Sequence, residues 1–103
     1  VKRTVPSPLR RNLARNLRSV RATLGWSQER LAAEANLNRT YLSAVEREEQ
    51  NISLDNIHKL AAALDLAACH LIDAGSDFGP EGLARLRAAS PPVQAVLPDD
   101  QAG

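Results

Sequence analysis

Leu9, Leu13, Leu17, Val20 and Leu24 recur along the first quarter of the chain at spacings of 4, 4, 3 and 4. Those spacings place all five on one face of an α-helix. The pattern predicts a helix from about Pro8 to Leu24. Pro8 suits the first turn, Ser7 is its cap, and Gly25 ends it in a conformation that other residues resist. A second helix is expected from Ser27, continuing through Ala32, Ala33 and Ala35 and stopping at Asn36. Ser27 caps its free amides, Glu29 suits its positive end, and Trp26 packs onto Leu31 as a hydrophobic staple.

The device repeats at once. Asn38 caps a third helix and Leu37 staples onto Leu42, so two stapled helices joined by about three residues describe a helix-turn-helix. Ser53 then caps a fourth helix whose apolar face is Leu54, Ile57, Leu60, Ala61 and Leu64. A shorter fifth helix, roughly Ala67 to Ala74, contributes Leu71 and Ile72 and is closed by Gly75. Gly79-Pro80, Pro91-Pro92 and Pro98-Asp99-Asp100 then interrupt the pattern, leaving one amphipathic stretch, Glu81 to Ala89. The expected organisation is a basic arm over 1–7, a compact all-α five-helix domain over 8–75, and a weakly ordered tail over 76–103 with room for a short helix at 81–89.

Composition narrows the class. Of 103 residues, 44% are apolar, yet the aromatics are only Trp26, Tyr41 and Phe78; Ala and Leu, both good helix formers, dominate. The longest apolar runs, such as Leu60 to Leu64, are far too short to span a bilayer, so no membrane partner is expected. The absence of a secretory-type leader and a single cysteine, Cys69, point to a cytoplasmic protein without disulfides. Net charge is only +1, but residues 1–25 hold Lys2, Arg3, Arg10, Arg11, Arg15, Arg18 and Arg21 and no acid, while every later quarter is net negative. A basic end on a near-neutral chain fits either a phosphate-facing arm and helix or a solvated tail.

The residues around the turn have physical reasons. Two helices crossing steeply around a tight turn admit only a small side chain at closest approach, hence Ala32. The turn needs a positive φ, for which Asn36 is the usual second choice after glycine. Leu31, Leu37, Leu42 and Val45 fill the wedge. With WSQERLAAEANLNRTYLSAVERE, the following QNISLDNIHKLAAALDL and the basic first helix, the chain resembles the phage-repressor/Cro type of helix-turn-helix DNA-binding domain over about residues 9–74. Within it, NLNRTYLSAVER looks most like the small controller proteins of bacterial restriction–modification systems. The sequence departs from the pattern at Asn36 (usually Gly), at Glu48 (often Gly) and at Asp65-Leu66-Ala67, where a glycine and a Ser/Thr cap are common.

The resemblance implies a sequence-specific regulator with the helix at 38–47 in the major groove of double-stranded DNA. The N-terminal end of that helix points inward, so Asn38, Arg39 and Thr40 lead the base-reading set, with Ser43 and Ala44 one turn behind. Arg39 is a natural bidentate partner for guanine, and Thr40 or Ala44 suits a thymine methyl. Ser27 and Gln28, at the amide-rich start of the second helix, are expected at phosphate, together with Arg47. Tyr41 either packs beside the motif or reaches a phosphate, and Asn51 either reaches the DNA backbone or closes the loop before Ser53. Arg21 and Glu46 each border a buried stripe, and an ion pair is expected between them, as in related repressors.

One reading helix covers only about four or five base pairs, so a homodimer on a palindromic operator is expected. Leu66, Leu71, Ile72 and Phe78, on the fifth helix and around it, exceed what the first four helices need to close their own core and are the predicted interface. The competing reading is an antitoxin-like or adaptor module that binds protein with the same fold. Catalysis has no support: His58, His70 and Cys69 lack metal-ligand spacing, no Gly-rich phosphate loop is present, and no cofactor or small-molecule ligand is implied. Cys69 reads as a small core or interface residue, or else a redox-sensing thiol.

Overall fold

The computed structural model describes residues 7–89, so the basic arm and the last stretch of the tail lie outside it. Six helices follow one another: α1 (Pro8–Leu24), α2 (Gln28–Ala35), α3 (Arg39–Glu46), α4 (Leu54–Leu64), α5 (Ala68–Ile72) and α6 (Pro80–Ala89). Among the described residues every regular element is helical.

Local chemistry sets the boundaries. Ser7, Ser27 and Ser53 each accept a main-chain N–H at the start of their helix, from Leu9, Arg30 and Asn56, at 3.0, 3.0 and 3.1 Å. Three helices end in the left-handed conformation, at Gly25, Asn36 and Asp65, with φ of 71°, 58° and 59°. At each, its own amide and the next one turn back onto the last carbonyls, as Leu37 does onto Ala32 at 2.8 Å.

The core is a single cluster built from the inward faces of all the helices. Leu17, Val20, Leu31, Leu42, Leu60, Leu64 and Leu71 are fully buried in it. Of the expected stripes, Leu24 and Ile57 pack against it half-buried, and two residues lie outside it. Leu9 is 50% exposed and Leu54 82% exposed, because each sits in a first turn that projects beyond the layer it packs on. The fifth helix is shorter than expected: Ala67 offers no side-chain cap, and the chain leaves it extended at Asp73 rather than at Gly75. Cys69 is exposed, which removes it from the core.

α1 grips the end of α5 through polar side chains. Asn16, only 3% exposed, donates its amide towards the carbonyls of Leu71 at 2.7 Å and Asp73 at 2.8 Å. Asn12 reaches the Ile72 carbonyl at 3.1 Å, and the Thr23 hydroxyl donates to that of Phe78 at 2.6 Å. These bonds satisfy carbonyls that the end of a helix leaves open.

The core continues past residue 75. Phe78 and Leu83 are each 4% exposed within the same cluster, Leu86 packs against it, and Arg87 donates to the Leu64 carbonyl at 3.0 Å, closing the end of α4. α6 lies so close to the preceding loop that a Cβ at Gly82 would meet the main-chain oxygen of Asp77 and stand 2.6 Å from its Cγ. Gly82→Ala is therefore expected to push α6 outward and cost about 1–3 kcal/mol. Urea denaturation checks this, and an unchanged midpoint would mean the Asp77 loop yields freely.

Candidate nucleic-acid interface

The α2–α3 unit is held as one piece. Ala32 and Ala35 are 3% exposed beneath the Asn36 turn, and Leu42 and Val45 anchor α3 from below. The Asn38 carboxamide oxygen accepts from the amides of Thr40 at 2.8 Å and Tyr41 at 3.3 Å. Burying Leu42 and Val45 turns the opposite side of α3 to solvent. Asn38, Arg39 and Thr40 are exposed, and Ser43 and Ala44 half-exposed, in one row along that side.

This exposed row is not a set of free side chains. Arg39 Nε lies 3.3 Å from Glu29 Oε2 on α2. Arg47 is fully engaged within its own region: Nε and one terminal nitrogen donate to Glu49 Oε1 at 3.2 and 3.1 Å. The other terminal nitrogen donates to the Ser43 hydroxyl at 2.6 Å. Ser43 thus accepts from Arg47 and keeps its own proton to donate.

The residues expected at phosphate fare differently. Ser27 is occupied as the α2 cap through its oxygen. Gln28 turns one amide N–H inward, to Glu46 Oε1 at 3.0 Å, leaving one for an outside partner. Tyr41 is half-buried against the core and its hydroxyl accepts from Asn56 at 3.1 Å, so both of its expected roles are compatible with its place. Asn51 is exposed in the loop before α4.

Behind this face, Arg21 and Glu46 meet in a bidentate pair. Nε and a terminal nitrogen of Arg21 donate to the two carboxylate oxygens, each at 2.8 Å. The side chains are 19% and 3% exposed. The remaining Arg21 nitrogen donates to the Trp26 carbonyl at 3.0 Å. The hydrogen bond to Glu46, and then its charge, hold Arg21 above the usual arginine range against the opposing effect of burial. Arg18 donates to the Glu46 carbonyl at 2.6 Å, tying the end of α3 to α1. That contact was missed, although Arg18 and Arg21 stand three apart and so adjacent on α1.

The predicted interface set needs correction. Leu66, Leu71 and Phe78 are 1%, 0% and 4% exposed inside the monomer, so they fill its own core. Only Ile72 keeps part of its surface. Among the described residues no cluster of three or more His, Cys, Asp and Glu side chains is placed to hold a metal ion, and no helix is long and apolar enough to cross a membrane.

Residues 17–71 match the model of a helix-turn-helix family. The chain is similar to a hypothetical transcription factor of Neisseria meningitidis serogroup B, 56% identical over 64 residues, which is 62% of this chain and 60% of that protein. It is also similar to the control proteins C.BamHI of Bacillus amyloliquefaciens and C.SmaI of Serratia marcescens. These are 51% identical over 47 residues (46% of this chain, 58% of the relative) and 43% over 60 residues (58% and 71%). The chain thus spans about three-fifths of the length of the first two, 60% and 58%. The crystal structure of the hypothetical transcription factor NHTF from Neisseria superposes with a TM-score of 0.62 at 44% identity, covering 84% of this chain and 95% of that one.

Proposed function

We start from the premise that the chain belongs to the helix-turn-helix family of DNA-binding transcription regulators, which are not enzymes, and infer that it reads a palindromic operator as a homodimer. The observation that carries the reading is the row Asn38, Arg39, Thr40, Ser43 and Ala44 on the outer side of a helix fixed from below by Leu42 and Val45. A row so varied in hydrogen-bonding type suits the major groove, where each base pair presents a distinct set of donors and acceptors. The amides at the start of α2, the free N–H of Gln28 and the exposed Asn51 flank it where DNA backbone would run. Arg47, held by Glu49 and Ser43, supports the reading helix and releases those bonds if it takes a phosphate.

Two protomers double the readout and set half-sites roughly 34–36 Å apart. Among the described residues, apolar surface suited to pairing includes Ile72 at the end of α5 and the Leu54–Ile57 ridge of α4, where Leu54 is 82% exposed. Selection from random-sequence duplexes by gel shift tests DNA reading and returns the operator; a pool that never converges would favour the protein-binding alternative. Sedimentation at micromolar concentration tests pairing. Ile72→Glu and Leu54→Glu variants are expected to fold, and at least one to run as a monomer and lose cooperative binding. A wild-type chain that stays monomeric both free and on its operator would overturn the dimer.

A further inference from the structure

The Arg39–Glu29 pair engages a particular part of the guanidinium. Glu29 Oε2 lies 3.3 Å from Nε as an ion pair rather than a hydrogen bond, and among the described residues no hydrogen bond engages either terminal nitrogen of Arg39. Bidentate recognition of guanine O6 and N7 uses two N–H groups in a fixed fork. A carboxylate beside Nε leaves the outer fork intact and, through its charge, favours the orientation that points the fork outward.

We propose that Glu29 is a specificity-determining positioning residue, which holds Arg39 with its two terminal nitrogens presented to a guanine edge and away from phosphate. The proposal rests on the DNA-reading role of α3. Its logic is steric and electrostatic together. Arg39 begins its helix, where a cation is slightly unfavourable and a free side chain would swing towards the backbone phosphates. Glu29 stands in the first turn of α2, where the dipole stabilises its charge, and α2 is locked to α3 by the Asn36 turn. The carboxylate therefore sits on a rigid support, neutralises part of the Arg39 charge, and repels the phosphate that would compete with the base. Both side chains are more than half exposed, so the pair adds little to folding. Its consequence is in which DNA is preferred.

The experiment measures equilibrium binding of the full chain to its selected operator and to a scrambled duplex of the same length and composition, at one salt concentration. For Glu29→Ala, the operator-to-scrambled affinity ratio is expected to fall about 2–5-fold per half-site. The loss should lie at the base pair that Arg39 reads. Glu29→Gln, which keeps the shape and removes the charge, is expected to lower the ratio nearly as far as Glu29→Ala. Glu34→Ala removes an equal charge from the same helix and from a different arginine, Arg30; it is expected to raise both affinities alike. In an Arg39→Ala background, Glu29→Ala should leave the ratio unmoved. Melting curves matching the wild type exclude a folding defect. The proposal is overturned if Glu29→Ala behaves like Glu34→Ala, or if its effect persists without Arg39. A wild-type chain that selects no sequence at all would instead remove the DNA-reading premise, a separable result.

Discussion

Arg21→Ala is expected to destabilise the protein by about 3–5 kcal/mol, a large part of the roughly 5–15 kcal/mol available to a small domain. The substitution leaves the Glu46 carboxylate 3% exposed with the Gln28 amide as its remaining side-chain donor. Glu46→Ala is expected to cost less. Arg21 is 19% exposed, so water can reach it, and it keeps its bond to the Trp26 carbonyl. Replacing both by apolar residues of similar volume should cost least, since no charge is then stranded. Urea denaturation of the two single variants and the double variant decides the matter; additive losses would mean that the two groups do not act as a pair. Because the Arg21 pKa is raised in the folded state, its contribution is complete below the ordinary arginine range and is lost only as pH rises above it. Arg21 should therefore confer no pH sensitivity around neutral pH.

Arg39→Ala is the change with the largest expected effect on binding. A good bidentate contact discriminates by about 1–3 kcal/mol, so a dimer on two half-sites should lose about 2–6 kcal/mol on the operator. Binding to scrambled DNA should weaken far less. Reselection of the operator with the variant should return relaxed preference at one base pair per half-site. If operator and scrambled duplex keep their wild-type ratio, Arg39 is not a base reader and α3 docks differently.

Much of the architecture could be read in advance because it depends on local chemistry. The Leu13–Leu17–Val20 stripe, the Ser27, Asn38 and Ser53 caps and the left-handed Asn36 turn need no partner from elsewhere in the chain to be recognised. Periodicity says which face of a helix is apolar, but not how far the neighbouring layer extends, so Leu9 and Leu54 were placed in a core that stops short of them. Counting apolar residues could not divide Leu66, Leu71 and Phe78 between a core and an interface, because the contribution of α6 and its loop to closing that core was undervalued. Asn16 escaped notice for a related reason. A buried amide is identified by the carbonyls it serves, and those lie 55 and 57 residues away. At the reading face, residue types marked the row on α3, but Glu29 lies on another helix and its pairing with Arg39 depends on the crossing of the two.

Apart from the Arg21–Glu46 pair, the polar side chains of α1 fasten the rest of the domain by gripping main chain. Arg18 holds the carbonyl of Glu46, Asn12 that of Ile72, Asn16 those of Leu71 and Asp73, and Thr23 that of Phe78. A carbonyl is present whatever residue carries it, so tolerance to mutation is unevenly shared. Asn16 can hardly be replaced, whereas Asp73 would still offer its main-chain oxygen after a change that costs its side-chain bonds to Gly75 and Ser76. The same holds for α3, which is anchored at its last carbonyl and by its inward leucine and valine. Thr40, Ser43 and Ala44 take no part in that anchoring. Under the proposed reading, DNA preference can therefore change at these positions on an unchanged scaffold, without a fresh folding problem at each step.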